Sequence, residues 1–415
     1  VDPPLSLARL RGRRQLTELR VTDLIFSHAE ASVFLNDVMK LSLSNHQIAM
    51  LESRTEGWIA GFQLAALSLQ GREDIGEFIT TFAGDDRYIA DFLAEEILNI
   101  QPQSVQNFLL KTSILDRLSE PLCDFVTDKS GSQQILDELD RTNLFIVPLD
   151  NKRRWYRYHH LFADLLRQRL RQAHGSLLPE LHCRASEWYA QNQFGEEAIE
   201  HALVAEDFKR AARLIEEISD AIWQHGETTR LLRWIEALPD AYVFARPNLC
   251  IGYAWVLSES GKQPAAERYL QAAEKVIHTT NKGKLVKPKG ESTRQFALTN
   301  RELRGRIAAI RAYIATERGD IPGSIKFSEQ ALKFLHEDDS TWRAGIAISA
   351  GIANSLQGDN FSAKEAFSEA VASSKAADNI NLYLAANFWL ALCLKYSGQL
   401  PRAVDICQHL LKVID

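Results

Sequence analysis

Two adjacent histidines, His159 and His160, stand in the stretch YRYHHLF, where an aromatic segment runs into a helical one. Imidazole nitrogens bind metals, exchange protons near neutral pH and hydrogen-bond to phosphates. The pair is therefore a candidate metal site, catalytic pair, core feature or ligand sensor. A metal site is disfavoured, because adjacent residues on a strand point to opposite faces and no other His or Cys lies nearby at ligand spacing. A metal-dependent hydrolase built on the pair is thus the weakest functional alternative.

Other catalytic signatures are missing from the sequence. It contains no GxxxxGK[ST] phosphate-binding loop and no GxGxxG, HExxH, GxSxG or kinase motif. We therefore predict that this chain is not an enzyme by itself. The five cysteines are scattered without a CxxC pair, which predicts reduced thiols in a cytoplasmic protein and no metal site. They are Cys123, Cys183, Cys250, Cys393 and Cys407.

Length and composition predict an ordinary globular protein of two to four domains, because 415 residues exceed a single compact core. With 54 acidic and 48 basic residues, the net charge of −6 gives no overall nucleic-acid footprint. No apolar run approaches the ~18 residues of a membrane span, and no signal peptide opens the chain. Because it starts at Val1 and not at Met, we expect a piece of a longer protein.

The periodicity predicts a mostly α fold with three domains. Residues 1–72 read as an entry segment and a small helical domain, with capping boxes at Ser27 and Ser44 and a buried third helix, WIAGFQLAALSLQ. Residues 73–174 read as four helices, a hairpin of strands 144–149 and 155–159, and an exit helix. This is the make-up of a winged helix, with the hairpin as its wing.

Residues 175–415 carry only helical signals, arranged in pairs. Four turns around glycine, each followed by an alanine-containing helix, mark repeats, and the last two steps are 39 and 40 residues. The first step of 58 residues contains a polar Lys- and Gly-rich insertion near 279–295. Helix pairs of this length predict an α-solenoid similar to tetratricopeptide repeats. The turn glycines are Gly261, Gly319, Gly358 and Gly398.

Three stretches of the sequence carry a resemblance to a known family. They are DPPLSLARLRGRRQLTELR (2–20), RTEGWIAGFQLAALSLQ (54–70) and NLFIVPLDNKRRWYRYHHLFADLLRQRL (143–170). In this order they resemble the MalT-like, LuxR-type ATP-dependent transcriptional regulators, which are STAND signalling NTPases. The first stretch resembles the segment after the last strand of their nucleotide-binding domain, which implies that residues 1–72 include the end of that module. The solenoid fits the inducer-binding superhelix of that family.

The resemblance implies that this chain is the regulatory middle of a longer activator. The parent would hold ADP when silent, and on binding ATP and a small-molecule or protein inducer it would self-associate and activate transcription. The P-loop domain and the C-terminal helix-turn-helix, through which DNA would be bound, are not in this chain. We therefore expect a cytoplasmic protein without membrane contact, in which the chain alone does not bind ADP or ATP tightly.

The resemblance also implies candidate nucleotide contacts. His159 matches a wing histidine that reaches the β-phosphate of ADP, with Tyr158 and His160 where the family commonly has Met and Asp. Without the resemblance, the favoured interpretation is that His159 packs under the wing with a hydrogen bond to the backbone. Gly57 matches the glycine of a Gly-x-Pro adenine motif whose proline is replaced here.

Two further sets of residues are candidates for binding. Arg9, Arg11 and Arg13 could contact phosphate or another subunit, or form a solvated basic face, whereas the arginines of the exit helix at 167, 169 and 171 favour a solvated face. Solenoid aromatics either pack between helices or line an effector site. The effector candidates are Trp255, Tyr313, Trp342 and Trp389.

A second function class remains open from the sequence. The chain could be a freestanding repeat scaffold that binds a protein partner without nucleotide dependence, with residues 1–172 as an accessory helical domain. The order of the TEGWIAG and YHHLF segments favours the nucleotide-switched regulator.

Overall fold

The computed structural model describes Arg9 and the ranges 24–70, 75–84, 86–142, 144–225, 228–282 and 299–414. Among these residues the sheet structure is one two-stranded hairpin and the rest is mostly helical, so the predicted mostly α fold is confirmed. Contacts group the chain into two units, Val1–Phe194 and Gly195–Asp415. The division into three domains at residues 72 and 174 stays a prediction.

From residue 24 onward, the first unit contains short helices, two of which begin at the predicted caps. Both capping boxes are formed: Ser27 pairs reciprocally with Glu30, and Ser44 with Gln47. The predicted burial of the third helix is confirmed, since Phe62 and Ala65 are fully buried. The helices are α1 (His28–Ser32, continued by a π-helical turn Val33–Val38), α2 (Asn45–Thr55), α3 (Ile59–Leu69) and α4 (Ile75–Thr81).

The predicted winged-helix order follows in the same unit. Four helices precede the hairpin, and the exit helix leaves it directly. The elements are α5 (Arg87–Leu93, continued by a π-helical turn Ala94–Leu98), α6 (Gln103–Thr112), α7 (Glu120–Thr127), α8 (Ser132–Arg141), β1 (Ile146–Pro148), β2 (Tyr156–Tyr158), α9 (His160–His174), a 3₁₀ turn (Gly175–Leu177) and α10 (Leu178–Gln191).

The wing is a short antiparallel hairpin in which Ile146 pairs with Tyr158. The Asp150 carboxylate holds the loop between the strands by accepting backbone N–H bonds from Lys152 and Trp155 at 2.7 and 3.0 Å. Both strands are shorter than the predicted 144–149 and 155–159. The second strand ends at Tyr158 because His159 already serves as the N-cap of α9.

The second unit consists of helices throughout its described residues. The irregular first part contains α11 (Gly195–Val204), α12 (Phe208–His225), α13 (Thr228–Glu236) and α14 (Asp240–Phe244). Four helix pairs follow: α15 (Pro247–Glu259) with α16 (Gln263–Lys282), α17 (Asn300–Glu317) with α18 (Ile321–Phe334), α19 (Ser340–Leu356) with α20 (Asn360–Ala376), and α21 (Ile380–Tyr396) with α22 (Leu400–Ile414). The predicted insertion lies largely outside the described residues, and α16 extends into its first part.

The pairs stack as a solenoid of repeats. Within each pair the two helices pack together, and the first helix of a pair also packs against the first helix of the next pair. Each pair turns at one of the predicted glycines, all of which have φ between +71° and +83°. A side chain is strained at such φ values, so glycine is the residue that closes these turns at no steric cost.

Candidate functional site

The wing histidine sits between the hairpin and the turn after α2. The backbone N–H of His159 donates to the Phe145 carbonyl at 2.8 Å, which continues the hairpin by one bond. Its Nε2 lies 3.0 Å from the carbonyl oxygen of Thr55, the last residue of α2. The side chain therefore joins the end of the wing to the end of a helix 104 residues earlier in the sequence.

The protonation of His159 follows from these partners. A carbonyl oxygen only accepts, so Nε2 carries the proton and Nδ1 is left as an acceptor in the neutral ring. Nδ1 is buried and has no hydrogen-bond partner among the described residues. Burial lowers the pKa of His159, against the opposing effects of the Glu56 carboxylate and the Thr55 bond. The neutral imidazole is thus the resting form.

Glu56 makes the second link between the same elements. Its carboxylate accepts both guanidinium N–H groups of Arg157 at 2.8 and 2.7 Å, and the backbone N–H of His160 at 3.0 Å. Burial by itself raises the pKa of this carboxyl, but the bonds from Arg157 and His160 and the neighbouring His159 bring it down to about 2. Glu56 is therefore ionised at neutral pH.

We call the contacts of Thr55 and Glu56 with Arg157, His159 and His160 the wing latch. The sequence analysis disfavoured a metal site because adjacent strand residues point to opposite faces. That reason does not apply to His159 and His160, because both lie beyond the end of the strand at Tyr158. They are engaged separately instead: His159 binds the Thr55 carbonyl, and Nδ1 of His160 lies 3.5 Å from a Glu56 oxygen. Within the described ranges, no group of three or more His, Cys, Asp or Glu side chains is placed to hold a metal ion.

The turn after α2 requires a left-handed backbone. Glu56 has φ +51° and Gly57 has φ +76°. A Cβ on Gly57 would come within 2.2 Å of the Ile25 side chain, and the N–H of Phe26 donates to the Gly57 carbonyl at 2.9 Å. The space beside Gly57 is thus filled by residues 25 and 26. Its role as an adenine contact stays a prediction.

An aromatic cluster packs against the wing latch. The ring centroid of Trp58 lies 5.0 Å from that of Phe145, 5.8 Å from Phe92 and 6.2 Å from His159. The Phe145 ring also meets the His159 ring edge-on at 5.5 Å. These contacts fix the imidazole plane, because rotation of the ring would break the packing with both neighbours.

The predicted arginines lie in different surroundings. Arg9 is exposed, whereas Arg11 and Arg13 lie outside the described residues. The solvated face predicted for the exit helix holds for residues 169 and 171, which are exposed, but not for Arg167. Arg167 is only a third exposed, because its Nε donates to the Ser113 carbonyl at 2.8 Å and so ties α9 to the end of α6.

The four effector candidates do not form one group. The rings of Tyr313 and Trp342 both contact Trp255, with centroids 5.3 and 5.7 Å away. Trp255 and Trp342 line a cavity of about 210 Å³. Trp389 instead stacks on the buried ring of Phe367 at 6.2 Å, within the packing between α20 and α21.

The sequence analysis did not identify Glu56 of the wing latch or Glu259 of the cavity wall as candidate functional residues. Glu56 lies within the TEGWIAG segment, but no role was assigned to it, because its pairing with Arg157 spans 101 residues. Glu259 lies four residues after Trp255 in α15, a spacing at which helical side chains meet, and this was the available signal.

No helix of the described residues has both the length and the apolar character needed to cross a membrane.

Comparisons with known proteins agree with this architecture. Residues 94–178 match the family MalT winged helix domain, and residues 305–415 match the family MalT-like TPR region. The resemblance to MalT-like regulators inferred from the sequence is thereby confirmed for these regions.

Similar proteins include two kinds of bacterial protein. The serine/threonine-protein kinase PknK of Mycobacterium tuberculosis is 33% identical over 251 residues, which are 60% of this chain and 23% of the kinase. The HTH-type transcriptional regulator MalT of Serratia proteamaculans is 29% identical over 335 residues, which are 80% of this chain and 35% of the regulator. The chain thus spans 23% to 35% of the length of these curated relatives.

A solved structure also resembles the chain at a low level. It is a Signal Transduction ATPase with Numerous Domains (STAND) protein with a tetratricopeptide repeat sensor from Pyrococcus horikoshii. It is 15% identical with a TM-score of 0.48, and the match covers 93% of this chain and 59% of that one. A similarity this low does not establish a shared arrangement of the whole chain.

Proposed function

We propose that this chain, which carries a MalT winged helix domain and a MalT-like TPR region, is the regulatory and sensor portion of a nucleotide-switched transcriptional activator. In this proposal the parent protein is cytoplasmic and holds ADP in the silent state. An inducer binding to the solenoid shifts it to an ATP-bound, self-associating state. DNA is contacted by a segment outside this chain. Support comes from the similarity to transcriptional regulators named MalT over 80% of the chain.

The observation that carries the proposal is the wing latch. It joins the wing to the turn after α2 through a neutral histidine and a bidentate ion pair, both largely shielded from water. These polar contacts stabilise one arrangement of the wing against the turn after α2. If the wing and the turn separate, the contacts break together, because each polar group then loses its partner. This is the behaviour expected of a switch element that has two discrete arrangements.

One atom of the wing latch, Nδ1 of His159, is suited to contact a phosphate. Nδ1 of His159 has no partner, and an imidazole protonated there becomes a donor to an anionic oxygen. The ionised Glu56 carboxylate favours that protonated form. Because Glu56 accepts the N–H of His160, a carboxylate lies beside the position where the resembling family commonly has Asp. In the parent, ADP would supply the anionic partner, and binding at Nδ1 requires that the atoms covering it move.

ADP release from the parent protein tests the proposal. His159→Ala should accelerate ADP release by about tenfold, the equivalent of one charge-assisted hydrogen bond, and should raise basal transcription. His174→Ala is the matched control, because His174 is an exposed histidine on the same helix α9. Circular dichroism of both variants checks that they are folded. ADP release at the wild-type rate in a folded His159→Ala protein would refute the nucleotide switch and favour the freestanding scaffold.

A further inference from the structure

A cavity of about 210 Å³ lies between the first helices of four successive repeats in the second unit. Its walls come from α15, α17, α19 and α21, so a ligand within it would contact every one of these repeats. A ligand that bridges several repeats stabilises their relative packing, because each repeat otherwise contacts only its neighbours. The lining residues are Trp255, Glu259, Ala309, Thr341, Trp342, Gly345, Ile346, Asn379, Asn381 and Leu382.

The aromatic part of the wall is held rigidly. The rings of Trp255 and Trp342 meet edge to face with centroids 5.7 Å apart, and Tyr313 packs against Trp255 at 5.3 Å. The indole N–H of Trp255 donates a hydrogen bond to Glu259 one helical turn later. The two tryptophan rings are thus fixed before any ligand arrives, which lowers the entropy cost of binding.

The wall carries net negative charge. Glu259 is the only ionisable side chain among the lining residues, and no cation of the described residues forms an ion pair with it. The surrounding rings reduce its hydration and raise its pKa, although it keeps access to solvent. Behind the wall, burial together with the carboxylates of Glu317 and Glu259 raises the pKa of Tyr313 to about 12. A cation in the cavity would relieve this uncompensated charge.

A neighbouring contact shows that one of these rings accepts a cation. The guanidinium carbon of Arg306 lies 5.3 Å from the ring centroid of Trp342. Its charge is balanced by Asp339, with a nitrogen–oxygen distance of 3.6 Å, so it does not neutralise Glu259. The indole faces of this cluster are therefore suited to cation–π binding.

We propose that this cavity binds a small organic ammonium cation, held by the Glu259 carboxylate and the rings of Trp255 and Trp342. The proposal rests on the sensor role assigned above to the solenoid and names the chemical class of its ligand. Asn381 offers its amide group to a polar substituent of that ligand, whereas Asn379 offers only its amide nitrogen, because its Oδ1 accepts the N–H of Leu382 as the cap of α21. An anionic ligand is disfavoured, because it would meet the Glu259 carboxylate and no basic lining residue.

Calorimetric titration of the purified protein with two matched probes tests the proposal. Choline carries the positive charge, and 3,3-dimethyl-1-butanol is its neutral isostere, while butylammonium serves as a second cation. We expect one cation per chain, bound at least about tenfold tighter than the neutral alcohol. Glu259→Gln should weaken choline binding by about tenfold and leave the alcohol unchanged, whereas the control Glu337→Gln, exposed and outside the cavity, should change neither.

Each contrary result overturns the proposal. These are equal affinity for choline and the alcohol, unchanged choline affinity in Glu259→Gln, or binding of neither cation at millimolar concentration. The outcome is separable from the nucleotide switch. If choline binds but ADP release from the parent is unchanged, the cation site would be retained and its coupling to the nucleotide switch rejected. If His159→Ala alters ADP release but the protein binds no cation, the nucleotide switch would be retained and the cation site rejected.

Discussion

The Nε2 atom of His159 lies 3.0 Å from the carbonyl oxygen of Thr55, and this bond decides the chemistry of the wing histidine. The same carbonyl accepts the N–H of Trp58 at 2.9 Å, so the turn after α2 and the wing share one acceptor. The imidazole is consequently a donor through one nitrogen and an unpaired acceptor through the other.

Nitrogen NMR of the histidine side chains should show His159 as the neutral Nε2–H tautomer at pH 7. Because burial lowers its pKa below the ordinary 6.5, it should protonate only at more acidic pH. The unfolded chain binds that proton first, so the stability associated with His159 is complete above pH 6.5 and declines as pH falls toward the folded pKa. An Nδ1–H tautomer, or protonation at 6.5 or above, would contradict the assigned bond.

Glu56→Gln should lower the free energy of unfolding by roughly 2 kcal/mol at pH 7, because it removes a shielded bidentate partner of Arg157. The Glu56 pKa falls from 4.5 to about 2 on folding, so its contribution is present above about pH 4.5 and is lost as pH falls toward 2. Urea unfolding at pH 7 and pH 3 measures this, with exposed Glu95→Gln as the control. A difference between wild type and Glu56→Gln that stays constant with pH would contradict the role of the carboxylate.

Local signals made much of the fold predictable from the sequence. A capping box needs only residues three apart, and both predicted boxes at Ser27 and Ser44 are formed. The repeat turns were visible because glycine is required where φ is positive, as at Gly358 and Gly398. Both wing strands were predicted too long, and the second was carried to residue 159 because His159 still donates to Phe145 while capping the next helix.

The wing latch was only half predictable. His159 was singled out by resemblance to a family, and a hydrogen bond to backbone was expected if it packs under the wing. The structure shows such a bond, to the Thr55 carbonyl, but the sequence did not indicate which carbonyl accepts it. Glu56 was missed because its role depends on a left-handed turn and on Arg157, which the fold brings from 101 residues away. Likewise, the solenoid aromatics could not be sorted, since Trp255 and Trp389 both lie in the first helix of a repeat but only Trp255 lines the cavity.

Gly57→Ala should destabilise the protein more than Gly131→Ala, by at least about 2 kcal/mol. Both glycines have positive φ, +76° and +94°, so an alanine at either is strained. An added Cβ at Gly57 meets Ile25 at 2.2 Å, whereas at Gly131 nothing lies within 4 Å. Chemical denaturation of the two variants separates steric exclusion from backbone strain. Equal losses would mean that residue 25 does not pack against the turn.

A second pair of glycines tests the close approach of helices in the solenoid. Gly351 in α19 and Gly252 in α15 are both helical, so alanine at either gains about 1 kcal/mol from helix propensity. At Gly252 nothing lies within 4 Å of an added Cβ, and we expect this gain in full.

At Gly351 the added Cβ would come within 2.5 Å of the Phe367 ring. That ring cannot move aside, because it is buried and stacked on Trp389. Overpacking of this kind typically costs about 1–3 kcal/mol, so Gly351→Ala should lower the free energy of unfolding while Gly252→Ala raises it. Urea denaturation of both variants gives the two signs directly. If Gly351→Ala also stabilised the protein, α19 and α20 would have to lie further apart than the contact between Gly351 and Phe367 requires.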